Sequence, residues 1–304
     1  MNLIQPMMMI FSIVFLGIFF EKRKIFTLQH VEALQKFLLN VGLPCYLFTS
    51  ILHHDLKSLI HWPYVYSYLL SFAGVAGYIM IVFPKSRGSK RSVQMLAAGY
   101  SNTSMYSLPV ITLLLGDPSA SIMAMLIQII GVQSVFLTFL SFEKHKEKSI
   151  ADKLLAGVST PLIIMPILGL LCNALDVHLY PVLTSTIEHL GQGVSSLTLF
   201  VFGLTVGSIR LHKDTLDKPL VLMAMGKTMV HPIIGFCVGR YVFDLAPYWL
   251  WSLVIATCAP TAFIIYLISK QFGIDQERIK KVVALTSVLS LVSLVILGCM
   301  IKSQ

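Results

Sequence analysis

Charge is scarce in this chain. Asp, Glu, Lys and Arg make up 12% of its 304 residues, where a soluble domain carries about a quarter. Acidic residues are scarcer still, 14 against 23 basic ones, and no acidic pair falls in the middle of an apolar segment. The five cysteines (Cys45, Cys172, Cys237, Cys258 and Cys299) show no paired spacing, which argues against a disulfide framework or a zinc site. Each lies inside an apolar run and is expected to be a small buried residue. No HExxH, GxSxG or P-loop pattern occurs, so a membrane enzyme lacks a recognisable reactive set, and no cofactor is expected. The longest polar connections are about ten residues, too short for a soluble catalytic domain.

What is present is apolar. The chain is 56% hydrophobic with a mean hydropathy of +0.80. Hydropathy divides it into ten segments, each close to the ~20 residues that a spanning helix needs. They run over Leu3–Phe20, Val31–Leu52, Ile60–Phe83, Ser92–Leu115, Ser119–Phe142, Leu154–Leu175, Val182–Val206, Pro219–Phe243, Trp249–Ser269 and Ile279–Ile301. They are spans 1 to 10 below. Span 1 reads as a retained span and not a signal peptide, because its positive charges follow the apolar run.

The basic residues fall in every second connection. They are Lys22, Arg23 and Lys24; Lys85, Arg87, Lys90 and Arg91; Lys144, Lys146, Lys148 and Lys153; Arg210, Lys213 and Lys218; and Lys270, Arg278, Lys280 and Lys281. The opposite connections and the tail hold only Lys57, Arg240 and Lys302. Positive loops stay cytoplasmic, so both termini are expected on the non-cytoplasmic side. The same bias explains the net charge of +9 without a nucleic-acid partner; the partner is the lipid bilayer. Trp62, Tyr64, Tyr180, Tyr248, Trp249 and Trp251 fall near outer span ends, as an aromatic belt would.

Ten spans split into five and five, and an odd number per half inverts one half relative to the other. One landmark recurs. Span 4 ends in Gly116-Asp117 and span 9 in Gly273-Ile274-Asp275. Counting back 14 residues from the first glycine reaches Asn102, and 13 from the second reaches Pro260. Around Asn102 the apolar run turns polar, Ser101-Asn102-Thr103-Ser104, and Pro109 follows. Proline removes a donor and disfavours helix in the residue before it. Both spans are therefore expected to be broken at mid-depth, with an ordinary kink in a continuous helix as the alternative.

These residues resemble the auxin efflux carrier family of membrane transporters. Four stretches carry the resemblance: Leu38-Leu39-Asn40-Val41-Gly42-Leu43-Pro44; Gly99-Tyr100-Ser101-Asn102-Thr103 through Ser107-Leu108-Pro109; Lys227-Thr228-Met229-Val230-His231-Pro232; and Ala259-Pro260-Thr261-Ala262 through Gln271-Phe272-Gly273-Ile274-Asp275. The match is to the bacterial malonate-permease-like branch. It departs at Ser104, Met105 and Ser107, where many members place glycine. The long central loop of the plant auxin exporters is also missing, since only Glu143 to Asp152 joins the halves. The resemblance implies an all-α membrane protein of ten transmembrane helices, a 5+5 inverted repeat with broken crossover helices 4 and 9. The repeats would be residues 1–148 and 149–304. Helices 1, 2, 6 and 7 would form a scaffold, and helices 3–5 and 8–10 a transport domain. It also implies a homodimer, and the compact loops and lack of a transit sequence suggest a bacterial cytoplasmic membrane.

The chemistry at such breaks favours an anion. A broken helix offers unpaired N–H groups and a positive dipole end at the start of its second half. Asn102, Thr103 and Ser104 are cap-type residues at that position, and Pro260 suits a first helical position with Thr261 beside it. Interhelical hydrogen bonding is the alternative role for this cluster. Lys227 and His231 are spaced i, i+4 on one face. Lys227 sits roughly 12 Å inside the span by helical rise, deep enough to be functional or to snorkel. Gln133 is a candidate substrate contact, or a helix–helix bond. His231 and Glu188 are candidates for proton coupling, with packing and interfacial exposure as their alternatives. The expected substrate is a small organic anion, a malonate- or auxin-like carboxylate. A non-transporting receptor for a similar ligand, or a cation-coupled symporter of the same fold, fits the sequence too.

Overall fold

Water is absent from the bilayer core, so every backbone N–H and C=O there must find a partner in the protein. Apolar runs of this length meet that demand as helices. The computed structural model describes residues 4–53, 60–144, 161–177, 179–209 and 216–302. Among these residues it is all helix, apart from one isolated bridge. The elements are α1 (Ile4–Lys22), α2 (Leu28–Phe37), α3 (Leu43–His53), α4 (Trp62–Val82), α5 (Gly88–Gly99), α6 (Leu108–Leu115), α7 (Ser119–Leu126), α8 (Ser134–Lys144), α9 (Pro161–Ala174), α10 (Pro181–Gly191), α11 (Val194–Gly207), α12 (Lys218–Met225), α13 (His231–Cys237), α14 (Pro247–Cys258), α15 (Phe263–Phe272) and α16 (Gln276–Lys302).

Among the described residues, six helical runs are long and apolar enough to cross a bilayer: Gln5–Lys22, Trp62–Val82, Ser119–Phe142, Pro181–Gly207, Lys218–Val242 and Gln276–Ile301. They overlap spans 1, 3, 5, 7, 8 and 10, and they make this an integral membrane protein. Spans 4 and 9 are each divided into shorter helices. Span 2 consists of α2 and α3 joined through a widened turn. The start of span 6, and Lys57, Lys146, Lys148, Lys153, Arg210 and Lys213, lie outside the described residues.

Prolines account for much of the irregularity. The π turns Leu38–Gly42, Thr103–Ser107 and Gly226–Val230 are followed, two residues on, by Pro44, Pro109 and Pro232. Proline donates no N–H, and its ring pushes away the carbonyl four residues back. A π turn absorbs that displaced carbonyl by widening the helix. Two of the three family motifs that end in proline thus mark a π turn within continuous helix, and the third marks one beside a break.

Small residues bring helices close. A Cβ on Gly17 would stand 2.3 Å from the Phe200 carbonyl oxygen, and one on Gly203 would stand 2.2 Å from that of Val14. α1 and α11 therefore touch backbone to backbone, the packing that works where lipid is as apolar as the side chains. Gly169 of α9 packs in the same way against Phe48 of α3.

The connections gather at two ends. At one end His61 stacks on Trp249 with ring centroids 4.5 Å apart, and the Tyr248 hydroxyl donates to the Asp117 carbonyl at 3.0 Å. At the basic end Arg278 binds Asp217 at 2.8 Å and also pairs with Asp275. Burial pushes the Asp217 carboxyl up, but the Arg278 hydrogen bond, the Leu220 amide and the nearby positive charges outweigh it and hold the carboxyl below its usual range.

Two expectations need correction. Trp62 and Tyr180 are exposed as belt residues would be, but Tyr64 and Trp251 are core residues. Inward-facing helix positions near a span end pack against neighbours and never reach lipid. Cys45 and Cys258 are buried, whereas Cys237 and Cys299 are exposed. An apolar segment in a membrane protein has an outward face, so lying within one does not imply burial.

Substituting Gly203 by Val should part α1 from α11 and destabilise the protein by about 1–3 kcal/mol. Gly77→Ala, with nothing within 4 Å of its Cβ position, should leave stability unchanged. Thermal unfolding of the purified protein in detergent distinguishes the two.

Candidate functional site at the paired helix breaks

α5 ends at Gly99, and Tyr100 continues in extended conformation. Asn102 then caps the next turn, its side-chain oxygen accepting from the Met105 N–H at 3.2 Å. α14 ends at Cys258, and α15 begins only at Phe263. Between them the two extended pieces run antiparallel, with Ser101 opposite Thr261. Asn102 N–H donates to the Pro260 carbonyl at 2.7 Å, and Ala262 N–H to the Tyr100 carbonyl at 3.2 Å. Each break supplies partners that the other lacks, and this allows non-helical backbone at membrane depth. Pro260 therefore does not open a helix, as its sequence context suggested. It lies in the extended pair, where its carbonyl is used and its missing N–H costs nothing.

Side chains lock this pair from several directions. Gln128, in the π turn Ile127–Gln133, accepts from the Ser101 N–H at 2.5 Å. Its amide nitrogen donates to the Ser101 carbonyl at 3.1 Å and to Thr103 Oγ1 at 2.8 Å. Thr261 Oγ1 donates to the Ala97 carbonyl at 2.6 Å, and Thr261 N–H donates to Thr286 Oγ1 at 3.1 Å.

Lys227 lies in the π turn before Pro232 and is fully buried. Its Nζ donates to Ser101 Oγ at 2.6 Å and to the Thr257 carbonyl at 2.8 Å, and stands 3.1 Å from His231 Nδ1. His231 is also fully buried, with Nε2 3.4 Å from Ser71 Oγ. The amine thus sits at the C-terminal ends of α5 and α14, where helix dipoles are negative. It does not snorkel.

A cavity of about 260 Å³ lies beside the breaks. Asn102, Thr103, Ser104 and Gln133 line it, and Gln133 Oε1 accepts from the Tyr100 hydroxyl at 2.7 Å. Pro260, Thr261 and Lys227 do not line it, although Ser101, the partner of Lys227, does. Among the described residues its lining contains no acidic side chain. A second cavity, about 380 Å³, shares Gln35 and Phe263 with the first and extends towards Glu277, Lys280 and Lys281. Glu188 is elsewhere. It binds His53 at 2.9 Å on the surface, with 41% of its side chain exposed. The residue that sequence reasoning undervalued is Gln128. Its signal was a second glutamine five residues before Gln133 in an otherwise apolar run.

The family described as "Membrane transport protein" matches residues 2–153 and 148–297. The chain belongs to this family, that of the auxin efflux carriers. Among curated proteins it is similar to one named "Putative malonate transporter" from Rhizobium meliloti (strain 1021), at 26% identity over 117 residues. That stretch is 38% of this chain and spans only 36% of the relative's length.

Gln128→Leu should orphan the buried Ser101 N–H and lower stability by about 1–3 kcal/mol. Gln128→Glu keeps an acceptor for that N–H but loses the amide donors to the Ser101 carbonyl and Thr103 and buries a carboxyl, so it should be destabilised as well. Unfolding midpoints of the two variants against wild type check both losses.

Proposed function

We propose that the protein is a secondary transporter that moves a small organic anion, a malonate- or auxin-like carboxylate, across the membrane by alternating access. The observation that carries this reading is the polarity of the breaks. Their negative, C-terminal ends are met by Lys227, while the turn capped by Asn102 and the start of α15 border the cavity. Helix N-termini present N–H groups and a positive dipole to a ligand. With no carboxylate in the lining among the described residues, the cavity suits an anion better than a metal cation. The named similarity to a malonate transporter supports the same class of substrate.

In this reading Asn102, Thr103 and Ser104 bind the carboxylate, and Gln133 orients it. Thr261 and Pro260 act through the backbone pair. Lys227 supplies positive field through Ser101 without touching the anion. His231, beside Lys227, is the coupling candidate that the geometry favours over Glu188. The ten spans form a 5+5 inverted repeat, 1–148 and 149–304, in which helices 4 and 9 cross. Helices 1, 2, 6 and 7 stay still as a scaffold while helices 3–5 and 8–10 rock. The tight contact of α1 with α11, and of α3 with α9, supports a stiff scaffold. The basic end faces the cytoplasm, both termini lie outside, and the larger cavity is then the inner entrance. A homodimer in a bacterial inner membrane completes the proposal.

Lys227→Gln keeps polarity and removes the charge. It should raise the KM for labelled malonate in proteoliposomes by about tenfold or more, which corresponds to roughly 1.4 kcal/mol, or abolish uptake, while the protein still elutes as a folded species. Lys227→Arg should be only partly tolerated, because a planar guanidinium cannot reproduce the same three contacts. Wild-type kinetics in Lys227→Gln would remove the lysine from the mechanism. Binding of malonate by the wild type without accumulation would point to a receptor.

Orientation is tested separately. A single cysteine at Lys85 should react with an impermeant thiol reagent only from the cytoplasmic side. Labelling from outside would overturn the assignment of the basic end.

A further inference from the structure

Buried polar side chains almost always have hydrogen-bond partners. Among the described residues, the hydroxyls of Tyr64 and Tyr68 have none, although both residues are fully buried. They are one turn apart on α4, so they share a face. The Tyr64 hydroxyl is within electrostatic reach of those of Tyr68 and Tyr248. The Tyr68 hydroxyl faces Ser101 without bonding it well. Ser101 Oγ accepts from Lys227 Nζ, which stands beside His231.

Tyr248 begins this file at the end of the molecule opposite the basic connections. It is only partly buried. Its hydroxyl donates to the Asp117 carbonyl at 3.0 Å, accepts from the Ala120 N–H at 3.1 Å, and lies beside Ser252, whose buried hydroxyl is also unpartnered. The groups therefore run in order from Tyr248 through Tyr64, Tyr68 and Ser101 to Lys227 and His231. Neither tyrosine on α4 lines either cavity described above. The other ionisable groups facing the pair are Cys258 of α14 and, around Tyr68, Tyr100. No carboxylate faces it among the described residues.

Resting on the carrier reading, we propose that this file, completed by ordered water, conducts protons from the outer face to the Lys227–His231 pair and so couples anion movement to a proton. A buried water needs two to four polar partners, and the two orphan tyrosine hydroxyls with Ser101 provide them. A proton from the outer solution adds to the first oxygen. Each oxygen in turn accepts one proton and releases its own to the next. The last is taken up by a nitrogen lone pair of the Lys227–His231 pair, which gains one positive charge. Only O–H and N–H bonds form and break. Ser101 lines the substrate cavity and also touches Nζ, so it serves both steps: it passes the proton to the pair, and the pair later returns the proton through Ser101 to the cavity.

The test uses the full chain in proteoliposomes, with labelled malonate as probe and a pH dye inside. Acid outside should accelerate malonate uptake by the wild type, and malonate addition should acidify the lumen. Tyr68→Phe should reduce both effects by at least about tenfold. Malonate–malonate exchange moves no net proton, and should change by less than about twofold. Tyr64→Phe should behave likewise, and Tyr66→Phe, exposed on the other face of α4, should not. Full coupling in both Tyr64→Phe and Tyr68→Phe would overturn the route. Malonate uptake by the wild type without any dye response would overturn coupling altogether. An absence of wild-type malonate exchange would instead count against malonate as the substrate of the carrier reading. The route would then be judged by a high-resolution density map. Water between the two tyrosine hydroxyls is expected, and a dry gap would overturn the proposal.

Discussion

Two hydrogen bonds between broken helices hold the rest of this structure in place. Asn102 N–H to the Pro260 carbonyl, and Ala262 N–H to the Tyr100 carbonyl, close a pair of extended segments in the interior of the helices. Without that mutual pairing each break would leave polar backbone in an apolar medium, at a cost of several kcal/mol per group. The surrounding side chains serve the pair. Gln128 clamps one strand, Thr261 ties the other to α5, and Lys227 meets the carbonyl end of α14. Making both breaks tolerable leaves two helix starts beside a cavity.

Much of this was legible in the chain. The six long helices follow from hydropathy and length alone. The positions of the breaks follow from polar residues and proline at mid-depth, where an apolar helix has no other use for them. The glycine landmarks also have a physical basis. Gly116 and Gly273 end their helices in left-handed conformation, φ +82° and +71°, which glycine adopts without the steric cost other residues meet.

The side-chain constellation was less legible, and the π turns are one reason. A π turn carries an extra residue, so it rotates the helix that follows it relative to what a 3.6-residue period predicts. Gln128, Gln133 and Lys227 all lie in such turns. Their spacing could not reveal that Gln128 grips the breaks, that Gln133 meets Tyr100, or that Lys227 is enclosed behind Ser101. Pro260 was misplaced for a related reason. Proline fits a first helical turn, but it fits equally a strand position whose N–H needs no acceptor, and only the partner strand decides between them. Glu188 stood out because carboxylates are scarce in the spans, yet its surroundings are a surface histidine.

Lys227 is attached to the protein, and this gives the site a property that a dissolved ion would not. A cation drawn from solution occupies its place only as far as its concentration and affinity allow, and competes with other ions. A tethered amine has an effective concentration fixed by covalent geometry. The helix ends it caps are therefore attended in dilute buffer and in brine alike, and whichever metal ion the medium contains. The architecture of the breaks is thus insulated from the ionic composition on either side of the membrane.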